Sequence, residues 1–217
     1  MFAYPQKASV DRPIAKAKIY AHARPSKRVR ELFVAQVADI HWKFKLSPET
    51  INLPAQGGIQ EIQVFELALR TPELSPAVLQ CIERAIPFPL LLQLRHDDSI
   101  CYSATYKRPS ESDASKWVIE ATFRSDWRQA ASKLPTLPVA LDLASLYEQI
   151  FRRHIPLQPR EGESLSLHIA RFNDIQNARK MQSQLQARLS QEIQFNRKVE
   201  LNARLRELTN QLTELQR

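Results

Sequence analysis

Apolar positions recur at intervals of three and four in three stretches among the first 160 residues, which predicts three amphipathic helices. The first follows a Ser26 cap and extends through Trp42, with an inner stripe of Val29, Leu32, Phe33, Val37 and Ile40. The second begins at Ser75–Pro76 and ends before Pro87, because Ser caps a helix and Pro is tolerated in its first turn. The third spans residues 141–155, with an inner stripe of Leu143, Leu146, Tyr147, Ile150 and Phe151.

Apolar runs between these helices predict β-strands. One run covers residues 59–69, two at about 90–95 and 100–107 form a hairpin, and the last covers residues 116–123. Three of these strands are consecutive in the chain. We therefore expect an α+β fold with a mostly antiparallel sheet of about four strands and packed helices.

The C-terminal region has a different pattern, because residues 163–217 contain neither Gly nor Pro. One stripe has the 4-3-4-3 spacing of a coiled-coil seam and consists of Leu201, Leu205, Leu208, Leu212 and Leu215. An earlier stripe has 4-4 spacing and consists of Leu185, Leu189 and Ile193. The two stripes are out of register, which implies a stutter, a bend or a hairpin near residues 195–199.

These patterns divide the chain into an α+β body, residues 1–160, and an extension, residues 161–217, that forms a long helix or a helical hairpin. A coiled-coil seam needs a partner, in the same chain or in another one. We take Leu201, Leu205, Leu208, Leu212 and Leu215 as candidate partner-binding residues. The alternative is that the seam packs on its own domain.

Composition narrows the class of protein. Charges or prolines interrupt every apolar run well before the roughly 18 residues that a membrane span requires, so no membrane segment is expected. The first residues lack the apolar segment of a secretory signal. Neither Cys81 nor Cys101 belongs to a CxxC pair, and we expect both to be buried thiols in a cytoplasmic protein.

The charge is unevenly distributed along the chain. The net charge of +8 comprises +7 in residues 1–47, −3 in residues 48–164 and +4 in residues 165–217. A basic N-terminal region fits an anionic partner such as nucleic acid, and the alternative is a solvated charged face. The candidate phosphate-binding residues are Lys16, Lys18, Lys27, Arg28 and Arg30.

Most catalytic motifs are excluded by composition. The three glycines, Gly57, Gly58 and Gly162, permit neither GxGxxG nor GxxxxGK[ST], so nucleotide binding by those loops is excluded. No HExxH or GxSxG is present, and the five histidines match no metal-ligand spacing. We predict no metal site and no cofactor.

The predicted hairpin raises the question of a metal-dependent nuclease, in which a lysine and two carboxylates surround a divalent metal. Thr105 stands two residues before Lys107, where that arrangement needs a carboxylate, and Asp97 and Asp98 lie in the turn. Lys107 also shares the polar side of its strand with Ser103, so the pattern favours a hairpin with a solvated face.

Glu66 is the one further candidate for chemistry. It lies in a strand that is apolar on both sides, and a buried carboxylate needs a partner. Pairing with Lys107 or Arg95 of the hairpin is the structural interpretation, and a site carboxylate is the functional one. Glu66 and Lys107 are therefore the candidate catalytic residues.

Several segments together resemble domain-of-unknown-function family 4391, including the N-terminal "FAYP", "ADIHWKFKLSPETINL", "EIQVFELAL" and "LSPAVLQCIERAIPFPLLLQL". The terminal "FNRKVELNARLREL" carries the most specific part of the resemblance. The family is bacterial and archaeal, and its genes tend to lie near those of helicases and DNA methyltransferases in defence-type islands. The resemblance implies a cytoplasmic accessory subunit of DNA-handling enzymes and transfers no catalytic residue.

Three hypotheses follow. The leading one is a non-enzymatic interaction subunit of a DNA-handling complex, docking through its C-terminal helices to a second copy, a helicase or a methyltransferase. The second is a degenerate or unusual metal-dependent nuclease that uses Glu66 and Lys107. The third is a non-specific DNA-binding protein.

Overall fold

The computed structural model describes residues 2–110, 117–130 and 134–217. The chain divides into two compact units, a first unit that ends at His154 and a second unit, Ile155–Arg217. The helices are α1 (Lys16–Ala23), α2 (Lys27–Gln36), α3 (Pro48–Ile51), α4 (Pro76–Ala85), α5 (Leu143–Arg152), α6 (Leu165–Gln191) and α7 (Phe195–Gln216). The strands are β1 (Ser9–Pro13), β2 (Val37–Leu46), β3 (Ile62–Leu69), β4 (Leu90–His96), β5 (Ser99–Pro109), β6 (Trp117–Arg124) and β7 (Arg128–Gln129).

The first unit is built on one sheet with the strand order β1-β2-β3-β4-β5-β6, and β7 pairs with β5. Neighbouring strands are antiparallel except β3 and β4, which are parallel. A parallel pair needs a crossover, and α4 provides it. The predicted α+β class with a mostly antiparallel sheet is confirmed, although the described residues form seven strands and about four were predicted.

The largest error of the sequence interpretation concerns the first predicted helix. Helix α2 ends at Gln36, and the backbone continues directly as β2 from Val37 to Leu46. Val37 and Ile40 fit a helical stripe by their spacing, but both are β-branched and both are buried in the sheet. Pairing of β2 with β3 therefore overrides the helical periodicity of these residues.

One face of the sheet carries the main hydrophobic core, beneath α1, α2 and α4. The core includes Ile19 of α1, Phe33 of α2, and Val78 and Ile82 of α4. The sheet contributes buried side chains that include Phe65, Leu67, Leu92, Leu94 and Cys101. Both cysteines are buried free thiols, as the sequence predicted.

Helix α5 packs on the opposite face of the sheet. All five residues of its predicted stripe are buried, and the Asp142 side chain caps the helix by accepting from the Ser145 amide at 2.7 Å. The Tyr147 ring stacks on Tyr106 of β5, with 5.6 Å between the centroids. Its hydroxyl accepts from the Lys107 amide at 2.9 Å and donates to the Thr105 carbonyl. These two bonds tie α5 to the backbone of β5.

The second unit contains a helical hairpin made of α6 and α7. The connection is the short segment Glu192–Gln194, in which the Glu192 carboxylate accepts from the amides of Ile193 and Gln194 at 2.9 Å each. The hairpin is antiparallel, since Gln182 bonds to Thr209 near the middle of both helices and Arg171 bonds to Leu215 near one end. Of the alternatives left open by the sequence, a stutter, a bend or a hairpin, the structure has the hairpin.

A buried ion pair holds the open end of this hairpin. Arg171 and Glu163 are 2.7 Å apart, and their side chains are 6% and 7% exposed. Arg171 also donates to the Leu215 carbonyl at 3.0 Å and to the Gln158 carbonyl at 2.7 Å. The guanidinium holds the pKa of Glu163 at about 2. Arg171 thus joins the end of α7 to the loop that precedes α6.

Within the described ranges, no helix combines the length and the apolar character needed to cross a membrane.

From the two hydrogen bonds of the Tyr147 hydroxyl we predict that this group stabilises the folded chain. Replacing Tyr147 with Phe leaves a buried amide and a buried carbonyl of β5 without this partner, and we expect a loss of about 1–3 kcal/mol in the free energy of unfolding. Urea unfolding followed by tryptophan fluorescence measures this, because Trp42, Trp117 and Trp127 all lie in the first unit.

Tyr20 offers a matched control, because within the described part of the chain its buried hydroxyl has no hydrogen-bond partner. Tyr20→Phe should leave stability unchanged or slightly raised. Equal losses in the two variants would contradict the role assigned to the Tyr147 hydroxyl.

Candidate functional site

Lys107 lies in a buried polar cluster between β5 and α4. Its side chain is among the largest that are fully buried, with the residue 2% exposed. The ammonium group donates to the carbonyl of Glu83 at 2.6 Å and to the carbonyl of Ile86. These carbonyls lie at the C-terminal end of α4, where a positive charge also interacts favourably with the helix dipole.

The neighbouring sequence explains why a lysine is needed there. In a continuing helix the Glu83 carbonyl accepts from the amide four residues later, but that residue is Pro87, which has no N–H. The Lys107 ammonium supplies the missing donor. The same strand face carries Thr105, so the polar side of β5 that the sequence placed in solvent is in fact buried.

Glu83 completes the cluster and was missed by the sequence interpretation. It is 3% exposed, and its carboxylate accepts from the Thr105 hydroxyl at 2.5 Å and from the Thr122 hydroxyl at 3.0 Å. A signal was present in the sequence, since Glu83 directly follows Ile82 of the inner stripe and so lies beside the buried face of α4. Lys107, Glu83 and Thr105 are buried, and Thr122 is the exposed member at the edge of the cluster.

Glu66 lies on the other face of the sheet. The register pairs Glu66 with Gln93 and Gln93 with Tyr102 in one row across the strands. The next row contains Phe65, Leu92 and Ser103. Side chains alternate between faces along a strand, and Lys107 has the same parity as Ser103. Glu66 and Lys107 therefore point away from each other.

The structure therefore does not bring the two candidate catalytic residues together. Two groups on opposite faces of one sheet cannot act on the same substrate or share a metal. Glu66 instead bonds to Gln93 Nε2 at 3.0 Å and lies 3.9 Å from Arg95 Nε, and Arg95 was one of the two structural partners expected for it. Among the described residues, no group of three or more His, Cys, Asp or Glu side chains could hold a metal ion.

The basic candidates lie on α1 and α2 but differ in their surroundings. Lys16 is half-buried, and its ammonium donates to the Val37 carbonyl at 2.5 Å. Burial lowers the pKa of Lys16. The Arg30 guanidinium lies over the Tyr20 ring, 5.5 Å from its centroid. The three that are exposed without such a contact are Lys18, Lys27 and Arg28.

The five candidate leucines also divide into two groups. Leu208 and Leu212 are buried with Ile175 and Ala178 of α6, and Leu215 packs against the same cluster. Leu201 and Leu205 are half-buried, nearer the turn of the hairpin. Leu208 and Leu212 are therefore covered by the chain itself, whereas Leu201 and Leu205 near the turn remain partly accessible to another protein.

Large apolar side chains are exposed around the turn of the hairpin. Ile193 is 90% exposed, Phe195 77% and Val199 52%. Between the two helices lie adjoining clefts of about 430 and 340 Å³. Their lining includes Leu185, Arg188, Leu201, Arg204 and Leu208. This end of the second unit has both the apolar surface and the charged margin that protein interfaces use.

A sequence model described as a domain of unknown function (DUF4391) matches residues 2–212. The chain belongs to this family. The resemblance that its segments suggested is thus confirmed over nearly the whole length. No curated protein and no solved structure gives a significant match.

The buried ammonium group predicts a pH dependence of stability. Burial lowers the pKa of Lys107 from 10.5 to about 8. Between these values the unfolded chain binds a proton that the folded chain has lost, so the free energy of unfolding rises with pH through this window. Relative to Lys107→Met, the wild type should gain roughly 2 kcal/mol between about pH 7.5 and pH 10, measured by urea unfolding.

Lys27→Met is the control, since it removes an exposed lysine of α2. Its difference from the wild type should not change over the same pH range. A Lys107→Met difference that is equally flat would show that Lys107 does not titrate as a buried group.

Proposed function

We propose that this chain is a non-enzymatic interaction subunit that assembles with a second copy of itself through the open part of its α6–α7 hairpin. The observation that carries the proposal is a stripe of alternating charges on α7 that is complementary to itself. The stripe consists of Arg197, Glu200, Arg204 and Glu207.

The spacing of this stripe places it on one face of the helix. Its members follow each other at intervals of three, four and three residues, and all four are exposed. Each of them also lines one of the two clefts between α6 and α7. A helix from another molecule that lay along these clefts would meet the stripe.

A second copy fits this stripe in charge. When two identical helices pair antiparallel across a two-fold axis, residues whose numbers add to the same total face each other. One such register places Arg197 opposite Glu207 of the other copy and Glu200 opposite Arg204. Every member of the stripe then meets an opposite charge, and each pair occurs twice.

Apolar groups beside the stripe favour burial of the same surface. Leu185 and Leu201 lie in the clefts, and Met181 beside them is 54% exposed. Covering these side chains supplies the favourable burial that charge pairs at a surface do not give alone. In the proposed dimer, the leucine seam of α7 therefore packs partly on α6 of the same chain and partly on α7 of the second copy.

In this proposal the first unit is available to bind other components of the assembly. The resemblance to DUF4391 implies a DNA-handling complex containing a helicase or a methyltransferase. Exposed Lys18, Lys27 and Arg28 are placed to add phosphate contacts, which give affinity without sequence preference. The opposite-face arrangement of Glu66 and Lys107 argues against the nuclease alternative.

The mass of the full chain in solution tests the proposal, by analytical ultracentrifugation at low salt. We expect a wild-type dimer. Glu200→Arg with Glu207→Arg turns every attractive pair into a repulsive one, which should weaken the dimer by about 2–4 kcal/mol. Arg197→Glu with Arg204→Glu should weaken it similarly, although it shifts the net charge the other way.

Combining all four substitutions restores complementarity with the signs exchanged, so the dimer should return. Helicity measured by circular dichroism should be nearly the same in all variants. A monomeric wild type, or a dimer that tolerates both double substitutions, would reject self-assembly through this face. Truncation before α7 is a poorer test, because it uncovers Ile175 and Ala178 of α6.

A further inference from the structure

A cleft of about 350 Å³ opens on the Glu66 face of the first unit. Its walls are largely apolar and include Phe2 and Tyr4 of the N-terminal segment, Phe44 of β2 and Val64 of β3. The polar groups in it are few, and two of them, Glu66 and Gln93, are neighbours in the sheet register. An apolar cleft of this size with a few convergent polar groups is typical of a small-ligand site.

The Glu66 carboxylate retains capacity to accept hydrogen bonds. Gln93 Nε2 donates to its Oε2 at 3.0 Å. The ion-pair contact of Oε1, with Arg95 Nε, is 3.9 Å long, which exceeds hydrogen-bond distance. A carboxylate offers about four acceptor positions, and the Glu66 side chain is 22% exposed. A ligand in the cleft can therefore reach it with an N–H group.

The other charged group in the lining is already paired. The Lys43 ammonium lies 2.6 Å from Asp11 Oδ1, so its charge is balanced outside the cleft. Among the described residues that line the cleft, an anionic ligand would meet the Glu66 carboxylate without a second, unpaired cation. The cleft therefore favours a neutral ligand that carries hydrogen-bond donors.

The carboxylate of Glu66 and the carboxamide of Gln93 together limit the chemical class of the ligand further. A carboxylate accepts from an exocyclic amino group of a base, and a carboxamide bonds to the amino group and the adjacent ring nitrogen. Aromatic side chains pack against the faces of unpaired bases. We propose that this cleft binds an unpaired nucleobase bearing an exocyclic amino group, with Glu66 accepting from that group and Gln93 bonding to the same edge.

The base has two sources, a free nucleoside or a single-stranded nucleic acid, which share the same recognition chemistry. The two ligands differ outside the cleft, because a single strand also brings neighbouring bases and phosphates to the protein surface. Binding of nucleosides and of short single strands to the same protein distinguishes them. This inference is independent of self-assembly through the second unit.

Isothermal titration calorimetry of the full chain with cytidine and uridine is the first test. The two nucleosides differ in having an amino group or a carbonyl at the position that Glu66 reads. We expect cytidine to bind at least about tenfold more tightly than uridine, the discrimination that one good base-edge contact gives. Adenosine and inosine form a second pair with the same difference, and adenosine should bind more tightly.

The variant Glu66→Gln keeps the size of the side chain and removes its charge. It should bind cytidine about tenfold more weakly and lose the preference over uridine. Glu73→Gln makes the same change on the exposed connection between β3 and α4 and should leave binding unaltered. Unchanged unfolding midpoints in both variants would show that the effect is local.

An eight-nucleotide oligo-dC, compared with oligo-dT, identifies the source of the base. Tighter binding of oligo-dC than of cytidine indicates a single strand, and equal or weaker binding indicates the free nucleoside; both support recognition of an amino-bearing base. The proposal is overturned if neither nucleosides nor strands bind at millimolar concentration. It is also overturned if uridine equals cytidine, or if Glu66→Gln binds cytidine as the wild type does.

Discussion

The first unit depends on one hydrogen bond, which the Lys107 ammonium donates to the Glu83 carbonyl at the end of α4. The usual donor would be the backbone amide of residue 87, but that residue is Pro87, which has no N–H. Helix α4 is the crossover between the parallel strands β3 and β4, so it must end on the sheet and turn sharply into β4. Proline ends the helix but leaves carbonyls without partners. Lys107 reaches from β5 to satisfy them, which fixes the end of the crossover to the next strand.

The same strand is held from the opposite side by Tyr147, which bonds to the backbone on both sides of Tyr106. Strand β5 is therefore held on one face through its own buried Lys107 beneath α4, and on the other face by the buried Tyr147 of α5. Glu66 and Gln93, by contrast, line a cleft, and the Glu66 side chain is 22% exposed. We therefore place the proposed ligand at these two residues and assign the buried Lys107 a structural role.

Several features of the fold follow from sequence periodicity, and the failures have physical causes. The stripe of α5 and the inner face of α4 were predicted because their apolar residues are strictly periodic and capped. The strand from Val37 to Leu46 was not, because its apolar residues also fit a helical period and only its pairing with β3 decides the outcome. The burial of Lys107 was unpredictable for a related reason, since a polar strand face has the same pattern whether water or a helix terminus covers it.

For the candidate partner-binding residues too, sequence spacing predicts one part of the structure and leaves another part open. The 4-3-4-3 leucines predicted a helix-binding face on α7, but spacing does not say which helix binds it. The turn at Glu192–Gln194 brings α6 back onto Leu208 and Leu212, so the chain satisfies that part of the face itself. Toward the turn the leucines are only half-buried and the alternating charges of α7 are exposed, which is why we propose that a partner binds there. The buried Arg171–Glu163 pair joins the two helices at the end away from the turn, so in the proposed dimer the stabilising contacts and the recognition surface lie at opposite ends of the hairpin.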